Sequence, residues 1–263
     1  MRPLVVKFGG GTLATEHLLV RAARYVATLA KTRPVVTVVS AMGDTTDAIV
    51  SLCNRVSPVP IPPREFDRAL ATGEDLSSSL MAMALYGEGV TAMGFSGWQV
   101  GLGTDGVFGS GKIETVKLET VRFCLDRKIV PVVAGFQGVF GKDVITLGRG
   151  GTDATAVVLA ASLRAECEIY SDVCVHTADP DEVPRAVPVE AISHEEVMEL
   201  ASMGSSIINS QAIRLATEHK LPFIAKSAFD FAHPGTEVTG SSPPGPKAIV
   251  RTPSAMAFSV RSE

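Results

Sequence analysis

The sequence predicts an α/β fold around a largely parallel sheet. Short apolar runs alternate with amphipathic helical segments, and 46% of the 263 residues are hydrophobic, enough to bury a large core. Residues 4–8 form the first strand and run into Gly9-Gly10-Gly11. A helix follows over 16–31, with Leu19, Ala23, Val26 and Ala30 on one face. Pro34 ends the connection to a buried strand at 35–40, and 45–55 is helical. Pro58, Pro60, Pro62 and Pro63 impose a rigid loop. A helix rich in small residues covers 65–86, and 91–95 and 129–133 read as strands. Five glycines within 101–111 mark a hairpin or flap. Gly148-Arg149-Gly150-Gly151 opens a helix over 152–163, and 168–173 is a strand. Pro180, Pro184 and Pro188 punctuate a surface loop, helices occupy 194–202 and 205–219, and a strand covers 222–228. From Ser241 on, Pro, Gly and Ser predominate, and a loosely held tail is expected.

Composition excludes several function classes. The formal net charge is −4 and no basic run occurs, which argues against a nucleic-acid or anionic-membrane partner. Cys53, Cys124, Cys167 and Cys174 are scattered, with no C-x-x-C pair, which fits a reduced cytoplasmic setting. The N-terminus enters a strand-like segment with no signal peptide, and no apolar stretch reaches the ~18 residues a bilayer span needs. The five histidines (His17, His176, His194, His219, His233) show no ligand spacing, so no protein-bound metal site is expected. Trp98 reads as a packing residue.

Two motifs carry chemistry. In Lys7-Phe8-Gly9-Gly10-Gly11-Thr12, consecutive glycines let backbone N–H groups approach an anion, a following helix N-terminus adds a favourable dipole, and a strand-end lysine reaches a phosphate. A plain strand-to-helix turn is the alternative account, and the order does not match the Walker A pattern, where lysine follows the glycines. In Leu147-Gly148-Arg149-Gly150-Gly151-Thr152-Asp153, an arginine between glycines suits bidentate capture of a carboxylate, and the helix dipole favours a charged Asp153. N-capping by Thr152 and Asp153 accounts for the same residues. Ser40 and Thr46 suit caps or turns, Glu74 a solvated first-turn acid, and Asp172 a strand-end turn.

Taken together, these segments resemble the aspartokinases. Lys7-Phe8-Gly9-Gly10, the block from Val38 to Asp47, Thr72-Gly73-Glu74, Gly135-Phe136-Gln137-Gly138, Gly148 to Asp153, Thr177-Ala178-Asp179-Pro180 and Pro234-Gly235-Thr236 follow in the family's order over residues 4–240. The resemblance implies the amino-acid kinase (carbamate-kinase-like) fold, a three-layer sandwich around a mainly parallel sheet. It implies transfer of the ATP γ-phosphate to the side-chain carboxylate of aspartate with Mg²⁺, by a homodimer. By family role, Lys7 would neutralise the transferring phosphoryl group and Asp153 would organise the reacting groups. Arg149 would grip the α-carboxylate and Glu74 the ammonium, while Ser40, Thr46, Phe136 and Thr152 line the pocket. Gly9, Gly10, Gly11, Ser171, Asp172, His176, Asp181 and Ser206 would form the nucleotide side. The resemblance divides the chain into a catalytic domain over 1–240, with an amino-acid half (1–145) and a nucleotide half (146–240), and a tail (241–263). The tail ends too early for the ACT regulatory domains of many aspartokinases.

The nucleotide side departs from the family pattern. The segment Ser171 to Asp181 is one residue short, lacks the family's Asp-Gly, and carries His176 for an aromatic residue and Asp181 for an arginine. Ser206 replaces a lysine that serves the phosphates, and Gly11 replaces a hydroxyl residue. Arg185, Lys226 and Lys112 are the candidate substitute cations. Two other functions stay open on these grounds: a catalytically silent amino-acid-binding or regulatory subunit, and a kinase for a different carboxylate or amino acid.

Overall fold

The computed structural model describes residues 1–57, 59–172, 174–178, 183–203, 208–243, 245, 247–252 and 255–258, with backbone alone for 249–258. Asp181 and Ser206 lie outside the described residues, as does the start of the helix expected from 205.

Strand β1 (Leu4–Phe8) is buried along its whole length, which suits its unbroken apolar run around Lys7. Helix α1 (Glu16–Ala30) starts where the Thr15 side chain accepts from the Leu18 N–H, and it buries Leu19, Ala22, Ala23, Val26 and Ala27. Next come β2 (Val35–Val39), α2 (Thr45–Val56), the long α3 (Pro63–Gly87) and β3 (Ala92–Phe95). The glycine-rich stretch forms the antiparallel hairpin β4 (Leu102–Thr104) and β5 (Ile113–Val116), as expected. Then follow α4 (Glu119–Asp126), β6 (Val130–Ala134), the hairpin β7 (Gln137–Phe140) and β8 (Asp143–Thr146), α5 (Gly151–Leu163) and β9 (Glu166–Ser171). The remainder is β10 (Ala191–Ser193), α6 (His194–Ser202), α7 (Ser210–Glu218), β11 (Phe223–Ser227), β12 (Thr236–Thr239) and the hairpin β13 (Ile249–Thr252) and β14 (Ala255–Phe258). Ser193 and Glu196 form a complete capping box at the start of α6.

The main sheet runs β10-β12-β11-β9-β1-β2-β6-β3 and is parallel throughout except for the β11–β12 pair. Side chains alternate across it. Leu4, Val6, Phe8, Val35 and Val39 face a core shared with α1 and α3, whereas Val5, Val36 and Val38 face one shared with α5, α6 and α7. The result is the expected three-layer sandwich. The second sheet, β5-β4-β7-β8, is smaller. The tail is better held than expected at its start: the Ser242 hydroxyl donates to Glu196 Oε2, 2.5 Å away, and Ala248 is buried in the core on the α5 side. Trp98 is 55% exposed and so is not the packing residue the sequence suggested.

Helix α5 is buried from Gly151 to Ala160, apolar on every side, so its position is fixed by packing all round. By contrast, α2 buries no residue. Leu159→Ala in α5 is therefore expected to lower stability by about 3 kcal/mol, and Leu52→Ala on α2 by at most ~0.5 kcal/mol, read from urea midpoints at constant m. Equal losses would contradict this division between core and surface.

Candidate active site

The carboxyl ends of β9, β1, β2 and β6 lie side by side, where parallel α/β sheets bind ligands. β1 ends in Lys7-Phe8, and its glycine loop is drawn tightly against its neighbours. Gly9 N–H donates to Tyr170 O on β9 (3.2 Å), and Gly43 N–H donates to Gly10 O (3.0 Å). A Cβ at Gly10 would lie 2.8 Å from Ala41 O, and one at Gly11 would lie 2.7 Å from an Asp172 carboxylate oxygen. Backbone approach thus demands glycine at position 10, whereas a side chain at position 11 would have to displace the Asp172 carboxylate.

The second glycine cluster brings in the helix. Gly150, at φ 75°, is the N-cap of α5, and no side chain caps that end. The expected N-capping by Thr152 or Asp153 is therefore not found; both lie inside the first turn. An uncapped N-terminus leaves backbone N–H groups open to an anion. A Cβ at Gly135, just past β6, would lie 2.5 Å from Thr152 Cγ2, so the ends of β6 and α5 touch. Phe136 holds φ 65°, a conformation that a bulky side chain rarely adopts and that clusters at functional sites.

Lys7 and Asp153 meet across this junction. Nζ lies 2.6 Å from Oδ1, and both side chains are 9% exposed. Asp153 Oδ2 also lies within reach of the Asn209 N–H at 3.5 Å, and the Asn209 side chain sits against Gly150. On the other flank, Glu74 projects from the middle of α3. Its Oε1 accepts from the Ala41 N–H (3.1 Å), while its buried Oε2 has no hydrogen-bond partner among the described residues. Burial pushes the Glu74 carboxyl up to about 7, against the lowering effect of the Ala41 hydrogen bond. A buried carboxyl oxygen without a partner among the described residues calls for a hydrogen-bond donor from elsewhere.

The family model for the amino acid kinase family matches residues 2–225. The chain belongs to the amino acid kinase family. Among curated relatives, the aspartokinase of Mycolicibacterium smegmatis is 44% identical over 246 residues, covering 92% of this chain and 58% of that protein. The aspartokinase of Geobacillus stearothermophilus is 41% identical over 231 residues, covering 86% and 56%. The chain thus spans a little over half the length of the curated relatives it matches. Among solved structures, aspartate kinase from Synechocystis superposes with a TM-score of 0.78 at 36% identity, covering 90% of this chain and 40% of that one. UMP kinase from Bacillus anthracis superposes with a TM-score of 0.64 at 17% identity, covering 92% and 97%, a likeness of fold alone.

In this member of the family the expected site residues fall into two groups, those tied together by contacts and those standing near them, with one residue apart. Contacts tie Lys7, Gly9, Gly10, Gly11, Thr152, Asp153, Asp172 and, through Ala41, Glu74 to one edge of the sheet, with Phe136 against Gly151. Ser40 and Ser171 follow from that edge, Ser40 N–H donating to Phe8 O and Ser171 O accepting from the Ala228 N–H. Thr46 stands in the first turn of α2, beside Thr45, whose methyl would lie 3.6 Å from a Cβ at Gly73. Arg149 sits exposed on the turn before α5, with no partner among the described residues. His176 belongs to neither group: its Nδ1 lies 2.9 Å from Cys174 O, and it pairs with Pro188.

Two expectations need correction. Glu74 is no solvated first-turn acid but a buried residue inside α3. Lys226 is not a spare cation: Glu168 holds it at 3.2 Å, over the Tyr170 ring. Sequence reasoning also missed Ala41, whose backbone N–H anchors Glu74, and Asn209, which caps α7 through Oδ1 to the Gln211 N–H. The groove lined by Lys31, Arg33, Leu125 and Lys128 opens among the amino-terminal ends of the strands, away from all of these groups.

The Glu74 shift has a pH consequence. From about pH 4.5 to about 7 the folded protein keeps a proton on Glu74 that the unfolded chain releases. Stability from this group therefore falls as pH rises through that window, by up to about 3 kcal/mol. Glu74→Gln is expected to flatten that slope in urea unfolding followed from about pH 5 to about pH 8. An unchanged slope would mean that Glu74 titrates normally.

Proposed function

We propose that this chain carries out ATP-dependent phosphorylation of the side-chain carboxylate of L-aspartate, giving 4-phospho-L-aspartate. The observation that carries the reading is the buried Lys7–Asp153 pair set between two glycine turns and an uncapped helix N-terminus. The similarity to proteins named aspartokinase, at 41–45% identity, supports the choice of acceptor.

The residues then take distinct parts. Glu74 Oε2 receives the substrate ammonium, and Arg149 closes on the α-carboxylate. Ser40, Thr46, Phe136 and Thr152 line the pocket. The polyphosphate lies over Gly9–Gly11 and the first turn of α5, with Ser171 and Asp172 beside it. A substrate carboxylate oxygen attacks the γ-phosphorus as the bond to the β-phosphate oxygen breaks, so ADP leaves and no proton moves. Lys7 neutralises charge on the transferring oxygens, and Asp153 holds the Lys7 ammonium in line. On this reading residues 1–145 supply most of the amino-acid half and 146–240 most of the nucleotide half, with Arg149 and Thr152 crossing to the first and Lys7 and Gly9–Gly11 to the second.

Charge counting bears on Mg²⁺. Lys7 is already matched by Asp153, and Asp172 adds a negative charge beside the glycine loop. Arg149 alone cannot offset a polyphosphate and a dicarboxylate. A magnesium ion needs one or two protein carboxylates besides phosphate oxygens and water. Asp172, packed on the glycine loop, fits that need, although no cluster of three acidic, His or Cys ligands occurs among the described residues. When bound, the ion supplies the remaining neutralisation of the phosphates.

The test is ADP release with aspartate as acceptor, with hydroxylamine trapping of the acyl phosphate. Lys7→Met is expected to lower kcat by about 10²–10³. Aspartate binding should tighten as pH rises through about 7, because an ammonium pairs with the ionised Glu74, and Glu74→Gln should abolish that dependence. Aspartate binding without turnover would replace this reading with that of a silent amino-acid binder. Turnover with another acid instead of aspartate would keep the chemistry and change the substrate.

A further inference from the structure

The function proposed above makes no use of Asp67, a carboxylate on α3 that is only 1% exposed. It has three hydrogen-bond donors and, among the described residues, no cationic partner. Oδ2 accepts from the Gly109 N–H (2.9 Å) and the Thr146 N–H (2.7 Å), and Oδ1 accepts from the Thr146 hydroxyl (2.9 Å). Gly109 stands at the tip of the β4–β5 hairpin, and Thr146 is the last residue of β8. One buried side chain thus fastens the hairpin tip to the strand that leads into Leu147-Gly148-Arg149.

The surrounding contacts carry this fastening to the turn itself. Gly111 N–H donates to Thr146 O (2.9 Å), and Leu147 N–H donates to Phe136 O (2.8 Å). A Cβ at Gly148 would lie 3.1 Å from Gly109 O, so the turn rests directly on the hairpin tip. The same helix, two turns on, carries Glu74. One turn of α3 therefore fixes the loop that bears Arg149, and a later turn presents the acceptor for the ammonium.

We infer that Asp67 is a positioning residue for the amino-acid pocket: through Gly109 and Thr146 it sets the Gly148–Gly150 turn, and hence where Arg149 meets the acceptor's α-carboxylate. The inference rests on the assignment of Arg149 to that carboxylate. It weighs on the amino acid more than on the nucleotide, because the glycine loop after β1 shares none of these hydrogen bonds and α5 is held by the burial of its residues from Gly151 to Ala160.

The test compares Asp67→Ala with Asp67→Asn by hydrogen exchange over residues 105–111 and 146–150 and by steady-state kinetics in each substrate. The asparagine variant can repeat the pattern, its oxygen accepting from both N–H groups and its amide donating to the Thr146 hydroxyl. The alanine variant is expected to exchange at least ~10-fold faster at these segments and to raise KM for aspartate about tenfold, with KM for ATP within about twofold. The asparagine variant should recover most of both effects. Unchanged exchange, an equal rise in both KM values, or no recovery by asparagine would overturn the inference. If Asp67→Ala does not fold, Thr146→Val removes one of the three bonds and carries the same comparison with a smaller shift. If the wild-type protein fails to turn over aspartate, the assigned activity has failed, and the exchange comparison alone decides whether Asp67 holds the turn.

Discussion

The contact between Lys7 and Asp153 is the constraint on which the rest of the architecture depends. Two opposite charges, each 9% exposed, meet at 2.6 Å between the end of a central strand and the start of a central helix. Burying such a pair is seldom favourable for stability alone, since desolvation offsets most of the attraction. It can be held in place only because both supports are rigid. β1 is paired on both sides, with β9 and β2 in parallel register, and α5 is buried over its first ten residues. A shift of either element would leave one charge buried and unpaired, at a penalty of several kcal/mol.

That demand propagates into the loops. The ends of β1, β2, β6 and α5 approach so closely that a side chain at Gly10, Gly11, Gly135 or Gly151 would meet backbone or side-chain atoms within 3 Å. Phe136 accepts a left-handed backbone to keep its place against Gly151. Beneath the loops, Phe8 stacks on Tyr170 at 5.0 Å, and Tyr25 stacks on Phe231 at 4.2 Å. This aromatic layer closes the core on the α1 side immediately below the glycine loop.

Much of this framework was legible in the sequence, for identifiable reasons. β1, β2, α1 and α6 were read to within a residue or so because their periodicity is clean and, in α1 and α6, a side chain at Thr15 or Ser193 closes the first turn. α4 escaped notice because it has eight residues and buries only Val121 and Cys124, too few to establish a period. The β7–β8 hairpin was hidden inside a segment read for its glycines. The helix over 65–86 holds Glu74 as expected, but the burial of that residue was not legible. Gly73 beside it lies within α3, and a Cβ there would sit 2.9 Å from the Ala41 Cβ. Glycine here marks helix-to-loop contact, not a turn. Asp67 and Glu74, seven residues apart, share the buried stripe with Leu70, Ala71 and Met81. Two acids on such a stripe were a visible signal of polar work at that face.

How completely each buried acid is satisfied separates scaffold from receptor. Asp67 accepts three hydrogen bonds from neutral donors and is only 1% exposed, so its part is to hold chain segments together. Asp153 shares its charge with Lys7, so an arriving anion can compete for the lysine while the carboxylate retains the Asn209 N–H within reach. Glu74 is satisfied through one oxygen and left bare at the other, which is why burial moves its proton affinity toward neutrality. An unpartnered buried oxygen costs about 1–3 kcal/mol in the free protein. That penalty is relieved by any hydrogen-bond donor that reaches Oε2, so the free energy such a contact releases is set by the fold beforehand.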